Sequence, residues 1–239
     1  MPRFFTQNIN GNTAIIEGDD AKHIQKSLRM KIGEEIELCD GQGFDYTGVI
    51  SEFSDVVDVK ILSKQENKSE PSCDVTLFQA LPKGDKFELI VQKAVELGVH
   101  KIVPVLTDRC VSRPDSKSFA KKLERYNKIA LEAAKQSGRG VVPSVEDMVS
   151  FDTAIKMTSQ FETALLFYEK GGNDLGSNLK SDTKSVAIFI GSEGGFEEKE
   201  VQKAENAGVL TTTLGKRILR CETAPLCALS AIMYITKNL

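Results

Sequence analysis

Two apolar runs near the C-terminal end of the chain each stop at glycine, and these are the residues whose types and spacing suggest chemistry. One reads VAIFIGSEGGFEEKEV from Val186, the other TTTLGKRILRCETAPLCALSAI from Thr211. Each has the pattern of a buried strand, a glycine-containing loop and a helix start, and glycine, lacking a Cβ, lets backbone lie directly against a ligand. Gly191, Gly194 and Gly195 would suit a phosphate cradle at a strand-to-helix turn. However, no GK[ST] or GxGxxG accompanies them, and Glu197, Glu198 and Glu200 occupy the helix start where an anion would sit. The expected ligand is therefore neutral or cationic. Glycines kept for packing alone are the competing reading, and the second glycine-ended strand weighs against it. The second loop mixes Leu214, Ile218 and Leu219 with Arg217 and Arg220 and runs into Thr223. Such a loop can enclose a flat ring with apolar side chains while its backbone reads the ring's edge. Its arginines can then face an anionic substrate.

These loops need a sheet to hold them, and the chain after residue 70 supplies its pattern. DVTLFQAL, HKIVPVL, TALLFYE and VAIFI are apolar runs, the first three separated by helical stretches and the last two by the polar loop GGNDLGSNLKSDTK, the pattern of an α/β domain with a mainly parallel sheet. KFELIVQKAVELG predicts a helix with Leu89, Ile90, Lys93, Ala94 and Leu97 on one face, ended by Gly98. Ser116 to Ser137 predicts a long amphipathic helix with Leu123, Tyr126, Ala130, Leu131 and Ala134 inward, and a short helix follows near Asp152 to Met157. The last helix is expected over Ala224 to Lys237, with Thr223 as N-cap and Pro225 tolerated in its first turn. Residues 13 to 63 instead alternate short β-like runs with turns, including a hairpin at the DGQG of Asp40 to Gly43. Between the first two runs Asp19 or Asp20 can cap a short helix carrying Ile24 and Leu28 on one face. This predicts a small antiparallel barrel with one helix, an architecture that serves nucleic-acid binding in some proteins and structure alone in others. The polar stretch Lys64 to Ser72 places a boundary that gives domains 1–70 and 71–239.

Composition limits the function classes. With 41% hydrophobic and 27% charged residues over 239 positions, the chain is expected to be an ordinary soluble protein, long enough for two compact domains or one large one. The start MPRFFTQNINGN lacks a signal peptide's apolar core, and no run reaches membrane-span length, so a cytoplasmic location without membrane is expected. Five scattered cysteines, Cys39, Cys73, Cys110, Cys221 and Cys227, form no CxxC pair and argue against a disulfide framework or zinc site. Two histidines, His23 and His100, are too few for a His-rich metal centre or an obvious catalytic triad, so no metal is expected. The net charge of -3 argues against a general nucleic-acid binder, but its distribution is uneven. Residues 1–70 carry 8 basic and 13 acidic residues, whereas 109–139 hold nine basic and three acidic ones. The latter run fits a solvated helix face or a phosphate-contacting strip.

Taken together, PRFF at Pro2, HIQKSLRMKIGEEIELCDGQG from His23, KGDKFELIVQKAVELGVHKIVPVLTDRC from Lys83, EAAKQSGR from Glu132, GSEGGF from Gly191 and LGKRILRCETAPLCAL from Leu214 give the chain its resemblance. It resembles, from Pro2 to its last helix, the RsmE family of small-subunit ribosomal RNA uridine N3-methyltransferases within the SPOUT class. That resemblance implies an N-terminal PUA-like RNA-binding barrel, a C-terminal α/β domain tied in a deep trefoil knot, a homodimer, and S-adenosylmethionine bound in the knot. By motif it implies cofactor contacts from Phe167, Tyr168, Gly191, Glu193, Gly195, Leu214, Gly215, Ile218, Leu219, Arg220, Thr223 and Ala224. A sulfonium cofactor agrees with the neutral-or-cationic expectation. Cys221 and Pro225 stand where the family tends to have other small residues or threonine, without expected effect on activity.

The implied reaction is a displacement in which uridine N3 attacks the sulfonium methyl, so the protein mainly aligns donor and acceptor. The N3 proton must leave as well. Glu193 and Glu222 are the candidate proton acceptors, and Arg220 the preferred stabiliser of the imide anion. Glu222 also suits the cap region of the last helix, and Glu193 suits bonds to loop amides. The base must be unstacked to be reached in folded RNA. Arg3, Arg29, Arg109, Arg113, Lys135 and Arg139 are the candidate RNA-positioning cations, each of which also suits a surface charge or a dimer contact. The expected partner is 16S ribosomal RNA, free or in the assembled small subunit, with the target near the decoding site. Rival readings are a SPOUT enzyme acting on another RNA position and a catalytically silent RNA-binding protein.

Overall fold

The computed structural model describes residues 1–239 and divides into two compact units. One comprises Met1–Glu70 with Ala134–Val142, the other Pro71–Ala133 with Pro143–Leu239. A division at Glu70/Pro71 was expected; the inclusion of 134–142 in the first unit was not.

In the first unit, β1 (Arg3–Phe5), β2 (Ile9–Asn10), β3 (Thr13–Ile16), β4 (Glu35–Cys39), β5 (Phe44–Phe53) and β6 (Val57–Glu66) form one sheet in the order β1-β4-β5-β6-β3-β2. Its pairings are antiparallel except for β1 with β4, which run parallel, so the barrel is mixed rather than purely antiparallel. The hairpin between β4 and β5 turns at DGQG, with positive φ at Gly41 (71°) and Gly43 (94°). The Asp40 carboxylate accepts from the amides of Gln42 and Phe44 and holds the turn. Alternating inward residues such as Ile36, Leu38, Ile50 and Val59 fill the core with Phe4 and Ile24.

The helix of this unit, α1 (Gly18–Lys22), starts after Glu17, not at an Asp19 or Asp20 cap, and widens into a π-helical stretch over His23–Leu28. Leu28 is 42% exposed while Ile24 is buried, so the two do not share a packed face. The π stretch ends at Arg29 in the left-handed conformation.

Arg3 and Arg139, expected to face RNA, are instead held inside this unit. Arg3 binds the carboxylates of Glu37 and Asp45 and the carbonyl of Arg139, and its side chain is 9% exposed. Arg139 is paired with Glu70 at 2.9 and 2.7 Å, and Glu70 also accepts from the amides of Gly140 and Val141. Lys135 meets Asp20 at 2.9 Å. These bonds explain why 134–142 belongs to the first unit.

Burial works to raise the Glu70 pKa, but the Arg139 hydrogen bond and charge, with the two amides, outweigh it and hold the carboxyl below its ordinary value. A depressed carboxylate contributes stability above its unfolded pKa and loses it as pH falls through the folded one. Glu70→Gln is therefore expected to destabilise at neutral pH and to flatten the acid limb of a stability-versus-pH curve. At pH 7 its cost should be about 1–3 kcal/mol, because a neutral amide replaces the carboxylate that bonds the buried Arg139 guanidinium. Denaturant melts from pH 3 to 7 check this, and parallel curves for variant and parent would contradict it.

The second unit is built on strands buried on both faces. After β7 (Asp74–Ala80) come α2 (Lys86–Glu96), β8 (Lys101–Leu106), α3 (Ser116–Ser137), whose last residues join the first unit, β9 (Ser144–Val145), β10 (Val149–Ser150) and α4 (Phe151–Met157). Then follow β11 (Thr163–Phe167), β12 (Asn173–Asp174), α5 (Leu175–Asn178), β13 (Ser185–Ile190), α6 (Glu198–Asn206), β14 (Leu210–Thr213) and α7 (Ala224–Ile235). All pairings are parallel, in the order β10-β8-β7-β13-β11-β14-β12, with β9 on β8. Phe78 on β7 and Phe189 on β13 stack at 4.6 Å in the core.

The faces of two helices differ from the sequence expectation. On α2 the buried side is Phe87, Ile90, Val91, Ala94 and Val95, and Leu89 is 45% exposed. Ile90 and Ala94 are buried as expected, but apolar residues all round the first turns allowed a second helical phase, and packing turned the face toward Phe87, Val91 and Val95. On α3, Tyr126, Ala130 and Ala134 are buried as expected, together with Phe119 and Ala133, whereas Leu123 and Leu131 are half-buried. On α7, Thr223 occupies the N-cap position but its side chain makes no capping bond, and Pro225 lies in the first turn.

The strand order fixes where a site forms. β13 is inserted between β7 and β11, while β14 lies on the far side of β11. After β14 the chain must come back, because α7 packs on α2, β7 and β13. The segment 214–223 makes that return, past the ends of β11 and β13.

Candidate functional site

The returning segment, the loop after β13 and the end of β11 enclose a cavity of about 510 Å³ within the second unit. It lies outside the carboxyl ends of parallel strands at a change in strand order, where open α/β sheets bind ligands. Phe167 at the end of β11 and Tyr168 just after it line the cavity, with Gly191, Glu193 and Gly195 from the first loop. Leu214, Gly215, Ile218, Leu219, Arg220 and Ala224 line it from the returning segment. Of the expected site residues, Thr223 and Glu222 are not on its wall. Thr223 uses its backbone to start α7, donating from N to the Arg220 carbonyl at 2.8 Å.

The glycines of the first loop have reasons that sequence reasoning did not reach. A Cβ on Gly191 would lie 2.9 Å from the Gly195 α-carbon, so Gly191 lets the loop fold back on itself. That fold is seen in the Gly195 N to Ser192 O hydrogen bond of 2.9 Å. Gly195 has φ +69°, and a Cβ there would meet the Glu169 carboxylate at 2.8 Å. The loop closes on protein first and offers its remaining backbone to the cavity.

No anion site exists at the start of α6. Glu200 accepts from the Glu197 amide at 2.8 Å and the Asp108 amide at 2.9 Å, filling the helix N-terminus with protein carboxylate. Arg109 bonds Glu197 at 2.9 Å and the Gly194 carbonyl at 2.7 Å, and so braces this loop. Arg113 donates to the carbonyls of Thr107, Asp108 and Cys110. Of the six cations expected to position RNA, only Arg29 is exposed without a hydrogen-bond or ion-pair partner. The other five are engaged by groups of the protein that run of charge alone does not reveal.

Around the cavity, charge is arranged in a network. Lys86, the first residue of α2, donates to Glu193 Oε1 at 2.9 Å, with Glu222 Oε2 at 3.5 Å. Cys221 Sγ donates to Glu222 Oε2 at 3.2 Å. Partial burial works to raise the Glu193 pKa, but Lys86 and the amides of Glu193 and Lys83 outweigh it and bring the pKa below the usual glutamate value. Glu222 is lowered too, chiefly by the Cys221 hydrogen bond. Burial and then the Glu222 bond push the Cys221 thiol up to about 12, so it stays a thiol. Arg220 lines the cavity with its guanidinium unpaired, the condition for acting on a bound substrate.

Sequence reasoning missed Lys86, Glu169 and Ser192 on this wall, while Arg217, read as an arginine of the second loop, does line it. Ser192 is 6% exposed with its Oγ unpartnered, a buried hydroxyl that a ligand would satisfy. Its place inside GSEGG was the available signal; Lys86 is more than 100 residues away and offered none.

Comparison with known proteins agrees with this construction. An RNA methyltransferase domain model matches residues 68–233, and an RNA methyltransferase PUA domain model matches 16–55. The chain is 38% identical over 236 residues to the ribosomal RNA small subunit methyltransferase E of Bacillus subtilis, covering 95% of this chain and 92% of that one. It is 34% identical to the protein of the same name from Mesomycoplasma hyopneumoniae, covering 99% and 98%. The crystal structure of ribosomal RNA small subunit methyltransferase E from Neisseria gonorrhoeae, bound to S-adenosyl methionine, superposes with a TM-score of 0.88 at 34% identity, over 98% of this chain and 97% of that one. With an α/β unit on a parallel sheet, a PUA-type N-terminal unit and this likeness along nearly its whole length, the chain belongs to the RNA methyltransferase family that includes ribosomal RNA small subunit methyltransferase E.

Proposed function

We propose that this protein transfers the methyl group of S-adenosylmethionine to N3 of a uridine in 16S ribosomal RNA. The observation that carries the reading is the cavity between the two glycine-containing loops, which offers carboxylates and apolar walls and no anion cradle. A sulfonium cofactor fits that wall: Glu169 and Glu193 supply negative charge, Leu214 and Leu219 supply apolar surface, and Ser192 Oγ a free hydrogen-bonding group. The bound cofactor would supply an electrophilic methyl. The protein's residues hold the acceptor ring in line, exclude water and manage the N3 proton. Glu193 is the acceptor we assign to that proton, since Glu222 lies off the cavity wall. Arg220, unpaired on the wall, is assigned to the developing imide anion.

The tip of the returning segment suits an unstacked base. Ile218 is 83% exposed beside Lys216 and Arg217, an apolar contact next to two cations. We further propose that the return of the chain past β11 and β13 ties the trefoil knot, and that a second copy covers α7. That helix is apolar on every side, so packing in one chain leaves Cys227 and Tyr234 exposed, Tyr234 at 77%.

Calorimetric titration with S-adenosylmethionine tests the reading against a silent RNA-binding protein. Saturable one-site binding is expected, and no heat at millimolar cofactor would exclude methyl transfer. Light scattering tests the second copy: a mass near 26.3 kDa at micromolar concentration would contradict the dimer.

A further inference from the structure

Lys86 stands where α2 and both cavity loops converge. Its ammonium reaches Glu193 of the first loop at 2.9 Å, Glu222 of the returning segment at 3.5 Å and Cys221 Sγ at 3.9 Å. Glu193 is also tied to the start of α2 by the Lys83 amide, which donates to Oε1 at 3.1 Å and lies 3.4 Å from Oε2. Glu193 Oε1 therefore has two donors, while Oε2 keeps one long contact and has acceptor capacity to spare.

Without the ammonium, Glu193 and Glu222 would be two carboxylates within reach of one point with no cation between them, and their repulsion would part the loops. With it, one charge serves two loops that are adjacent only because the chain returns after β14.

We propose that Lys86 is the positioning residue of the methyl-transfer site: by pairing with Glu193 and Glu222 together it sets the spacing of the two loops and aims Glu193 Oε2 at the N3 proton of the uracil ring. The inference rests on the methyl-transfer reading given above. In the step it serves, the N3–H proton passes to Glu193 Oε2 and the N3 electron pair forms the bond to the methyl carbon. The carbon–sulfur bond breaks with its pair going to sulfur, leaving neutral S-adenosylhomocysteine. The charged and titratable groups facing Glu193 are Lys86, Cys221 and Glu222, with Arg217 and Arg220 elsewhere on the wall. Lys86 is the one cation bonded to Glu193, so its removal has one sign: the Glu193 carboxyl becomes easier to protonate.

The test compares Lys86→Met, Lys86→Arg and the parent in two readouts. The first is the pH dependence of kcat for methylation of 16S RNA at saturating cofactor and RNA. In the parent the acid limb falls below the ordinary glutamate range. In Lys86→Met it moves up by about one pH unit, a tenfold loss on that limb, and kcat falls more than cofactor affinity. Lys86→Arg returns the limb to its parental place. The second readout needs no activity: carbon-detected NMR of the Glu193 side-chain carboxyl through a pH titration. Its midpoint should rise in Lys86→Met and return in Lys86→Arg.

An unmoved Glu193 midpoint in a folded Lys86→Met variant overturns the proposal, and so does an acid limb that stays in place while overall rate drops. Should Lys86→Met not fold, a Lys86→Arg variant whose Glu193 midpoint departs from the parental one by a unit or more overturns it equally. If the parent methylates no RNA while the NMR midpoints behave as stated, the functional reading fails and the pairing of Lys86 with Glu193 stands.

Discussion

Replacing Gly195 with valine is expected to weaken S-adenosylmethionine binding by about 100-fold or more while the protein remains folded and soluble. Two costs act together. The residue has φ +69°, a conformation that a β-branched side chain resists at about 1–3 kcal/mol. Its Cβ would also sit 2.8 Å from Glu169 Oε1, so the carboxylate must swing away from the cavity wall and take its negative charge with it. Gly215→Ala is the control. Gly215 has φ +99° but open space around its Cβ position, so alanine there brings strain without displacement and a smaller loss of affinity. Isothermal titration of both variants decides the matter. Undiminished binding in Gly195→Val would mean that Glu169 and the tight turn are not part of the cofactor wall.

Arg220→Ala is the second large effect, and it separates binding from chemistry. The Arg220 side chain has no protein partner, and its carbonyl already performs a structural task by accepting from the amides of Thr223 and Ala224. Truncation to alanine leaves that backbone role intact. The expected result is a fall in kcat of about 10²-fold, the scale for losing one donor aimed at a developing anion, with cofactor affinity little changed. Equal losses in kcat and cofactor affinity would assign Arg220 to binding.

What the sequence made legible follows from range. Both glycine-ended strands of the second unit, the parallel alternation and the DGQG hairpin depend on residues a few positions apart, and local pattern displays them. The division at Glu70/Pro71 is local in the same sense. The cations are the opposite case. Arg3 with Asp45, Arg139 with Glu70 and Arg109 with Glu197 are pairs separated by 42, 69 and 88 positions. Nothing in a run of basic residues says which of them a distant carboxylate will take. Hence the basic stretch 109–139 read as either a solvated helix face or a phosphate-contacting strip, while several of its charges serve internal bonds. The same limit hid Lys86, whose partners lie 107 and 135 positions away. Helix phase was only partly legible for another reason: on α2, Ile90 and Ala94 are buried as expected, but apolar residues surround the axis at Phe87, Leu89, Ile90 and Val91, so periodicity permitted two faces and only packing separates them. The insertion of β13 between β7 and β11 is likewise invisible to pattern, because strand order is decided by contacts and not by strand content.

The central claim is methylation of one uridine in 16S ribosomal RNA at the pairing edge of the base. A methyl on N3 removes the Watson–Crick donor and stops reverse transcription, whereas a ribose methyl leaves that edge free. Primer extension along 16S RNA from cells with and without this protein, followed by nucleoside mass spectrometry of the fragment, measures this directly. The account predicts one strong stop at a single uridine, identified as N3-methyluridine, that disappears without the protein and returns when purified protein and S-adenosylmethionine are added. A stop that persists in its absence, or a product methylated on ribose or on another base, would contradict it.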